Sequence, residues 1–266
     1  MAWLLIDNSN TRTKLALGDG HCLLEWRAVI PTADLAVSSL EKLLEGISFE
    51  AVVCASVVPE KAKLLEDFFK PACPFHRLNY RSPHGMEFDL DHPEQIGNDR
   101  LANAIALLGK HGAPGIAIDF GTAVTFSVVS SKGIFLGGAI APGMAAMTEY
   151  LSSQTAQLPQ IDPIEPTSAI GKTTVEAMRS GAVLGHRGMV REILHALVSE
   201  MGGAPKVVAT GGGAAFAAAH LEEIHLADPD LTLEGLRLIA ARIFPNGGTA
   251  RSVRHARCLP NCSDRM

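Results

Sequence analysis

Two similar stretches indicate the fold: residues 3–17, WLLIDNSNTRTKLAL, and residues 115–129, GIAIDFGTAVTFSVV. In each, an apolar segment leads to polar or small residues and then to a second apolar segment, which is typical of a β-hairpin. Asp7 and Asp119 occupy equivalent places in the two stretches. The repeat predicts a duplicated domain in which each copy opens with a hairpin that carries an acid. Chance similarity over so few residues is the alternative.

The segments around the hairpins alternate between strand and helix patterns. Residues 35–45 and 60–70 have Leu, Val and Phe at helical spacing, and the apolar run AVVCA at 51–55 between them is typical of a buried strand. This alternation predicts α/β layers. Further helices are predicted over residues 101–108, 174–201 and 232–244, and a further strand over 205–209.

The chain length suits two domains. At 266 residues it exceeds the common size of one domain and fits two of roughly 100 to 150 residues. Breaker residues in GAPG, residues 112–115, separate a helix from the second hairpin. We therefore predict an N-terminal domain over 1–113, a C-terminal domain over 114–244 and a cleft between them. The tail over 245–266 is predicted to be flexible or to lie on the surface.

Composition excludes several classes of protein. Hydrophobic residues make up 47% and charged residues 19%, which favours buried cores over a disordered or fibrous chain. The net charge of -5 gives no broad cationic field, so we do not expect nucleic acid as a partner. The apolar N-terminal run meets Asp7, too early for a signal peptide or a bilayer span, so we expect no membrane association.

The cysteines favour a reducing compartment. Five are scattered along the chain, an odd number without two matched pairs of metal ligands, so we expect reduced thiols in the cytosol. Cys258 and Cys262 lie close together in the tail. Metal capture is the alternative there, but we favour a tail without a function and predict no metal site.

The hairpin turns carry groups that suit phosphate. The chain has no P-loop motif and no complete dinucleotide-binding glycine motif after a strand, so phosphate must be bound by other turns. The stretch Asp7 to Lys14 offers a carboxylate, neutral donors and a cation, and Asp119 to Thr122 offers a second acid and a hydroxyl. Two such turns facing each other could hold a nucleoside triphosphate. Alternatively, these residues simply cap ordinary hairpin turns.

Asp99 is the candidate proton acceptor. Transfer of a phosphoryl group to an alcohol needs a base near the attacking hydroxyl. Asp99 lies at or just before the start of the predicted helix 101–108, in GNDR. The alternative is that its charge favours the helix dipole, with Arg100 as a solvated neighbour. Gly-rich runs at 137–143 and 210–213 permit close approach of backbone to a ligand or to another helix.

The order of these motifs resembles that of the type III pantothenate kinases. The resemblance spans about residues 4–244 and rests on motifs that are individually weak but occur in family order. These are DNSNTRTK (7–14), GNDR (97–100), DFGTAVT (119–125), GGAIAPG (137–143), GKTT (171–174), TGG (210–212) and LTLEGL (231–236).

The resemblance implies an α/β fold of two duplicated ribonuclease-H-like domains, as in actin-like ATPases, with a central cleft. It implies transfer of the γ-phosphate of ATP to the primary hydroxyl of pantothenate, the first step of coenzyme A synthesis, by a cytoplasmic homodimer. Magnesium is expected with the ATP phosphates, and potassium or ammonium at Asp119.

The resemblance also assigns residues. Asp99 is the implied proton acceptor. Binding of pantothenate is implied for Gly97, Asn98, Asp99, Arg100 and Thr174. Binding of ATP is implied for Asp7, Asn8, Ser9, Asn10, Thr11, Arg12, Thr13, Lys14 and Thr122.

Three positions depart from the family pattern. Ser9 stands where the family usually has Gly, Leu90 stands where a Tyr contacts substrate, and Asn98 replaces a common small residue. Two rival functions stay open. One is a noncatalytic relative that resembles the accessory factors first linked to bacterial gene regulation. The other is a different kinase or a phosphatase of the same superfamily.

Overall fold

The computed structural model describes residues 1–245. The described chain forms two compact units, the first from Met1–Lys110 together with residues 230–245, the second from His111–Pro229. Among the described residues, no helix combines the length and apolar character needed to cross a bilayer.

The secondary-structure elements are numbered in chain order. The strands are β1 (Trp3–Asn8), β2 (Arg12–Gly18), β3 (Leu23–Pro31), β4 (Ala51–Ser56), β5 (Phe75–Arg77), β6 (Gly115–Phe120), β7 (Ala123–Val129), β8 (Phe135–Gly137), β9 (Ile140–Pro142), β10 (Lys206–Thr210) and β11 (Leu226–Ala227). The α-helices are α1 (Val37–Leu43), α2 (Pro59–Phe69), α3 (Asn98–Ala106), α4 (Met144–Gln154), α5 (Thr174–Met201), α6 (Ala214–Ala218) and α7 (Leu231–Ile243). Short 3-10 turns cover Thr32–Asp34 and Pro93–Gln95, and a π-helical turn covers Leu107–His111.

The first unit is built on a five-stranded sheet in the order β3-β2-β1-β4-β5. β1 pairs antiparallel with β2 and parallel with β4. Every residue of β1 and β4 is buried, as expected for central strands that are covered on both faces. Their polar ends, Asp7, Asn8 and Ser56, therefore come together at the carboxyl edge of the sheet.

The second unit repeats this plan. Its sheet runs β8-β7-β6-β10-β11, with β9 added beside β7. Asp7 and Asp119 are each the fifth residue of a six-residue first strand, and each faces the third residue of the return strand, Lys14 or Thr125. The equivalence predicted from the two short stretches therefore extends to strand order and register. Both acids lie in the strand, one or two residues before the turn itself.

The predicted helices have identifiable local causes. Pro59 opens α2 at a position where its missing N–H removes no helical hydrogen bond. α5 begins with a capping box, in which Thr173 and Glu176 satisfy each other's backbone N–H groups, and ends at Gly202 in the left-handed conformation. The strand β3 and the helix α4 were not predicted.

The last helix belongs to the first unit, although the sequence placed it in a domain over 114–244. α7 packs on β1, β4 and α3. The approach to α3 is so close that a Cβ on Gly235 would overlap the Ala102 carbonyl oxygen. Because tertiary packing decides this placement, the apolar spacing of α7 gave no sign of it. Residues 246–266, with Cys258 and Cys262, lie outside the described residues, and so does nearly all of the predicted tail.

Candidate active site

The first hairpin turn holds a buried carboxylate. Asp7 is 4% exposed near the end of β1. Its Oδ1 accepts a hydrogen bond from the Ser9 hydroxyl at 3.0 Å, and its Oδ2 lies 3.8 Å from the Lys14 Nζ. The acid is thus paired with a cation on the neighbouring strand and with a donor from the turn. These two contacts hold the carboxylate in place.

The predicted ATP-binding residues 7–14 divide into an exposed tip and a buried base. Asn10, Thr11 and Arg12 are exposed, whereas Asn8 and Thr13 are buried. The Asn8 Nδ2 donates to the Thr13 Oγ1 at 2.7 Å, so these two side chains hold the turn from inside. A ligand approaching from solvent meets the tip and its backbone first.

Ser9 fits the turn in place of the family glycine. Among the described residues, positive φ values occur only at glycines, so Ser9 has an ordinary backbone conformation. Its hydroxyl is used in the bond to Asp7. This departure therefore adds a contact within the turn and introduces no backbone strain.

Asp99 lies in the first turn of α3, where the sequence predicted it. The backbone N–H of Arg100 donates to the Asp99 Oδ1 at 2.8 Å. Burial raises the pKa of the Asp99 carboxyl, and this hydrogen bond partly opposes the rise. A side chain on Gly97 would begin 2.7 Å from the same Oδ1, so the glycine makes room for the carboxylate. A carboxylate with a raised pKa is better suited to accept a proton near neutral pH.

Asn98 and Ser56 connect α3 to the hairpin. The Asn98 Nδ2 donates to the Ser56 carbonyl oxygen at 3.1 Å, and the Ser56 Oγ donates to the Asn8 Oδ1 at 2.6 Å. The predicted substrate segment 97–100 and the predicted ATP segment 7–14 are therefore joined within one unit. Sequence reasoning missed Ser56, although its place directly after a buried strand was a usable signal.

The remaining departure, Leu90, lies half-buried between β5 and α3. Its side chain is apolar and carries no hydroxyl.

In the second unit, Asp119 lies against the Gly-rich turn that follows β10. A Cβ on Gly211 would overlap the Asp119 Oδ1, and Gly211 has a φ of +87°. Thr210 pairs in register with Asp119, so both side chains point to the same face of the sheet. The Thr210 Oγ1 is buried and has no hydrogen-bond partner among the described residues. The backbone of the second hairpin turn is also packed closely, because the Gly143 N–H donates to the Thr122 carbonyl oxygen at 3.1 Å.

Thr174, predicted to bind pantothenate, is the first residue of α5 and is exposed. The chain before it turns tightly, since a Cβ on Gly171 would overlap the Ala177 backbone nitrogen. The Glu176 carboxylate accepts the Lys172 N–H at 2.8 Å and the Thr173 N–H at 3.1 Å. The motif GKTT thus fixes the start of the helix and presents Thr174 at its surface.

The second unit also contains a cavity of about 290 Å³ between α5, α6 and the end of β6. Its walls are mostly apolar, and the buried His186 Nε2 has no partner among the described residues. Burial lowers the pKa of His186, so the ring is neutral at pH 7. Arg187, at the cavity wall, is paired with Glu165. These apolar walls make the cavity unsuited to phosphate. Among residues 1–245, no three His, Cys, Asp or Glu side chains converge as a metal site.

Comparison with known proteins gives the family. The family model for type III pantothenate kinase matches residues 3–196. This chain belongs to the type III pantothenate kinase family. A type III pantothenate kinase from Akkermansia muciniphila is 49% identical over 240 residues, which cover 90% of this chain and 98% of that protein. A type III pantothenate kinase from Methylacidiphilum infernorum (isolate V4) is 41% identical over 239 residues, which cover 89% of this chain and 87% of that protein.

Solved structures agree on the fold. A Campylobacter jejuni protein described as a conserved Baf family transcriptional activator has a TM-score of 0.61 at 20% identity, with 91% of this chain and 99% of that chain covered. The activator of the 2-hydroxyisocaproyl-CoA dehydratase from Clostridium difficile, with bound ADPNP, has a TM-score of 0.56 at 16% identity. The match covers 95% of this chain and 100% of that chain. The predicted α/β fold with two duplicated ribonuclease-H-like domains is confirmed. At these identities the likeness concerns the fold alone.

Proposed function

We propose that this chain carries out the family reaction, ATP-dependent phosphorylation of pantothenate in coenzyme A biosynthesis, with Asp99 as the proton acceptor. The match to the Akkermansia protein, nearly end to end at 49% identity, is the observation that carries the reaction. The retained Asp99, with its raised pKa and fixed position on α3, is what supports catalysis over a noncatalytic role.

In the proposed reaction, a primary hydroxyl of pantothenate attacks the γ-phosphorus of ATP. The new oxygen–phosphorus bond forms as the bond to the β-phosphate oxygen breaks, and the hydroxyl proton passes to Asp99. The Arg100 N–H bond to the Asp99 Oδ1 fixes the orientation of the accepting carboxylate. Gly97 and the Arg100 N–H lie against this carboxylate. Pantothenate is proposed to contact Gly97, Asn98, Asp99, Arg100 and Thr174.

ATP is proposed to bind at residues 7–14 and at Thr122. The exposed tip, Asn10 to Arg12, offers donors to phosphate oxygens, and Asp7 and Lys14 lie at its base. Oxygen ligands suit magnesium, so the Asp7 carboxylate is the group that would hold a metal-bound water. Magnesium would supply charge neutralisation on the phosphates.

A monovalent cation, potassium or ammonium, is proposed at Asp119. The fit rests on oxygen atoms on one face of the second sheet. These are the Asp119 carboxylate and the buried Thr210 hydroxyl, which has no partner among the described residues. A buried hydroxyl without a partner is costly, and a cation beside it would use its lone pairs.

A homodimer in the cytoplasm completes the proposal. Exposed apolar side chains support an association surface in the second unit, since Tyr150 on α4 is 67% exposed and Ile140 on β9 is 66% exposed. A cytoplasmic location suits an enzyme that consumes ATP. The division into domains at residue 113 also stays a proposal, with α7 packed in the first unit.

The test is a coupled assay for ADP with ATP, magnesium, potassium and pantothenate. We expect pantothenate-dependent ADP release by the wild type, and a loss of about 100-fold or more in kcat for Asp99→Asn, with ATP binding retained. The amide oxygen of Asn can still accept the Arg100 N–H, so the fold should persist. Asp67→Asn, at an exposed ion pair on α2, is the matched control and should keep wild-type turnover.

Absence of pantothenate-dependent ADP release by the wild type, with either cation, would reject the reaction. Near-normal turnover in Asp99→Asn would remove only Asp99 from its role.

A further inference from the structure

A buried chain of hydrogen bonds runs from β4 to the tip of the first hairpin. It starts at the Ser56 hydroxyl, which donates to the Asn8 Oδ1 at 2.6 Å. The Asn8 amide therefore turns its Nδ2 toward the Thr13 Oγ1, at 2.7 Å. The Thr13 and Thr32 hydroxyls are 3.0 Å apart, and the Thr32 Oγ1 donates to the Ser9 carbonyl oxygen at 2.7 Å. All four side chains are buried.

We call this chain of hydrogen bonds from Ser56 through Asn8, Thr13 and Thr32 to Ser9 the relay. The direction of each bond in the relay follows from the number of hydrogens that each side chain can donate. A hydroxyl has one hydrogen to donate. Thr32 gives its hydrogen to the Ser9 carbonyl oxygen, which has none, so Thr13 must be the donor to Thr32. Every donor in the relay thus points from Ser56 toward Ser9. The Val58 carbonyl oxygen, 3.2 Å from the Ser56 Oγ, is a second and more distant acceptor for the Ser56 hydroxyl than the Asn8 Oδ1. Hydrogen bonds that follow one another in the same direction strengthen each other.

The end of the relay sets the orientation of one peptide group. The Ser9–Asn10 peptide is trans, and in a trans peptide the C=O and the N–H point in opposite directions. Because the Ser9 C=O points inward to the buried Thr32, the Asn10 N–H points outward. Asn10 is exposed at the tip of the turn. An outward backbone N–H is the kind of donor that binds phosphate oxygen.

We propose that Thr32 and Ser56 are positioning residues for the phosphates of ATP. Neither side chain touches the nucleotide. Through Asn8 and Thr13 they hold the Ser9–Asn10 peptide so that the Asn10 N–H faces a phosphate oxygen. The inference rests on ATP as the phosphoryl donor, and it gives the buried residues of the segment 7–14 a role in aiming the turn.

Thr32→Val is the first variant, because valine keeps the shape of the side chain and removes the hydroxyl. Thr32→Ser is its matched control, because serine keeps the hydroxyl. We expect Thr32→Val to raise the Kd of the non-hydrolysable analogue AMP-PNP, measured by calorimetry without pantothenate, about tenfold, since one well-aimed bond to a charged group is lost. The KM for ATP should rise in parallel. The KM for pantothenate should stay within about twofold, and Thr32→Ser should behave like the wild type.

Ser56→Ala tests the other end of the relay. It should weaken AMP-PNP binding in the same direction, and the double variant with Thr32→Val should bind no worse than Thr32→Val alone, because one break already releases the peptide. Ser56→Ala also keeps the inference testable if Thr32→Val does not fold.

An unchanged Kd in both Thr32→Val and Ser56→Ala would overturn the inference. So would an equal rise in the KM for ATP and for pantothenate, which would mean general loosening of the unit. If the wild type binds AMP-PNP but forms no ADP with pantothenate, the proposed function fails. Comparing the Kd for AMP-PNP between the wild type and the variants still tests whether the relay positions the Asn10 N–H.

Discussion

Replacing Gly211 by alanine tests the turn that holds Asp119. Gly211 has a φ of +87°, a region that side chains with a Cβ rarely adopt. A Cβ there would overlap the Asp119 Oδ1 and lie 2.8 Å from the Phe120 carbonyl oxygen. The new methyl group must therefore either displace the carboxylate or move the turn.

The expected loss in the free energy of unfolding is the sum of a backbone cost and a packing cost. A left-handed conformation costs a residue with a Cβ about 1 to 2 kcal/mol. Forcing an extra carbon into a tightly packed position costs about 1 to 3 kcal/mol more. The free energy of unfolding should thus fall by about 2 to 5 kcal/mol, a large part of the roughly 5 to 15 kcal/mol that stabilises a typical protein.

Gly212→Ala is the matched control, one residue further along the same turn. Within residues 1–245, no atom beyond the two adjacent residues lies within 4 Å of the Gly212 Cβ position, so the unfolding free energy should change by no more than about 0.5 kcal/mol. The assay is urea unfolding followed by circular dichroism. If Asp119 holds the monovalent cation, Gly211→Ala should also need more potassium for half-maximal activity. Equal urea midpoints in the two variants would refute the close packing of Gly211 against Asp119. Equal potassium dependence would refute the cation site at Asp119.

Two further predictions concern the base and the assembly. Burial raises the pKa of Asp99, and a base must be deprotonated to act. We therefore expect kcat/KM of the wild type to fall as the pH is lowered through a value above the ordinary aspartate pKa of about 3.9. A pH profile measures this fall, and the residual activity of Asp99→Asn should not show it. If the proposed homodimer uses the exposed apolar surface of α4, the charge introduced by Tyr150→Asp should shift the mass in sedimentation equilibrium from dimer to monomer. A dimer mass unchanged by the substitution would exclude this surface from the contact.

Much of the fold could be predicted because its signals are local. The hairpins, the helix that starts at the GNDR motif and the long helix α5 each show periodicity and end signals within a few residues of sequence. The same local signals placed Asp7, Asp99 and Asp119 at the ends or starts of elements. The family was recognised for a similar reason, since the order of short motifs is a property of the sequence itself.

The relay behind the first turn could not be predicted in this way. Thr32 follows Ser9 by 23 positions, and Ser56 follows Asn8 by 48, so no periodic pattern relates them. From the sequence, Asn8 and Thr13 are predicted to bind ATP together with the tip residues. In the structure, Asn8 and Thr13 are buried, whereas the tip residues are exposed. α7 was assigned to the C-terminal domain for the same reason, because which sheet covers an apolar helix face depends on contacts distant in sequence.

By itself, the sequence determined the duplicated hairpins, the positions of the three acids and the family, because each depends on the types and spacing of nearby residues. The tertiary structure alone decided that Ser9 is unstrained in place of glycine, that Asn98 ties α3 to β4, and that buried hydroxyls orient the turn. The physical reason is that hydrogen-bond direction and burial arise only when β1, β2 and β4 lie side by side.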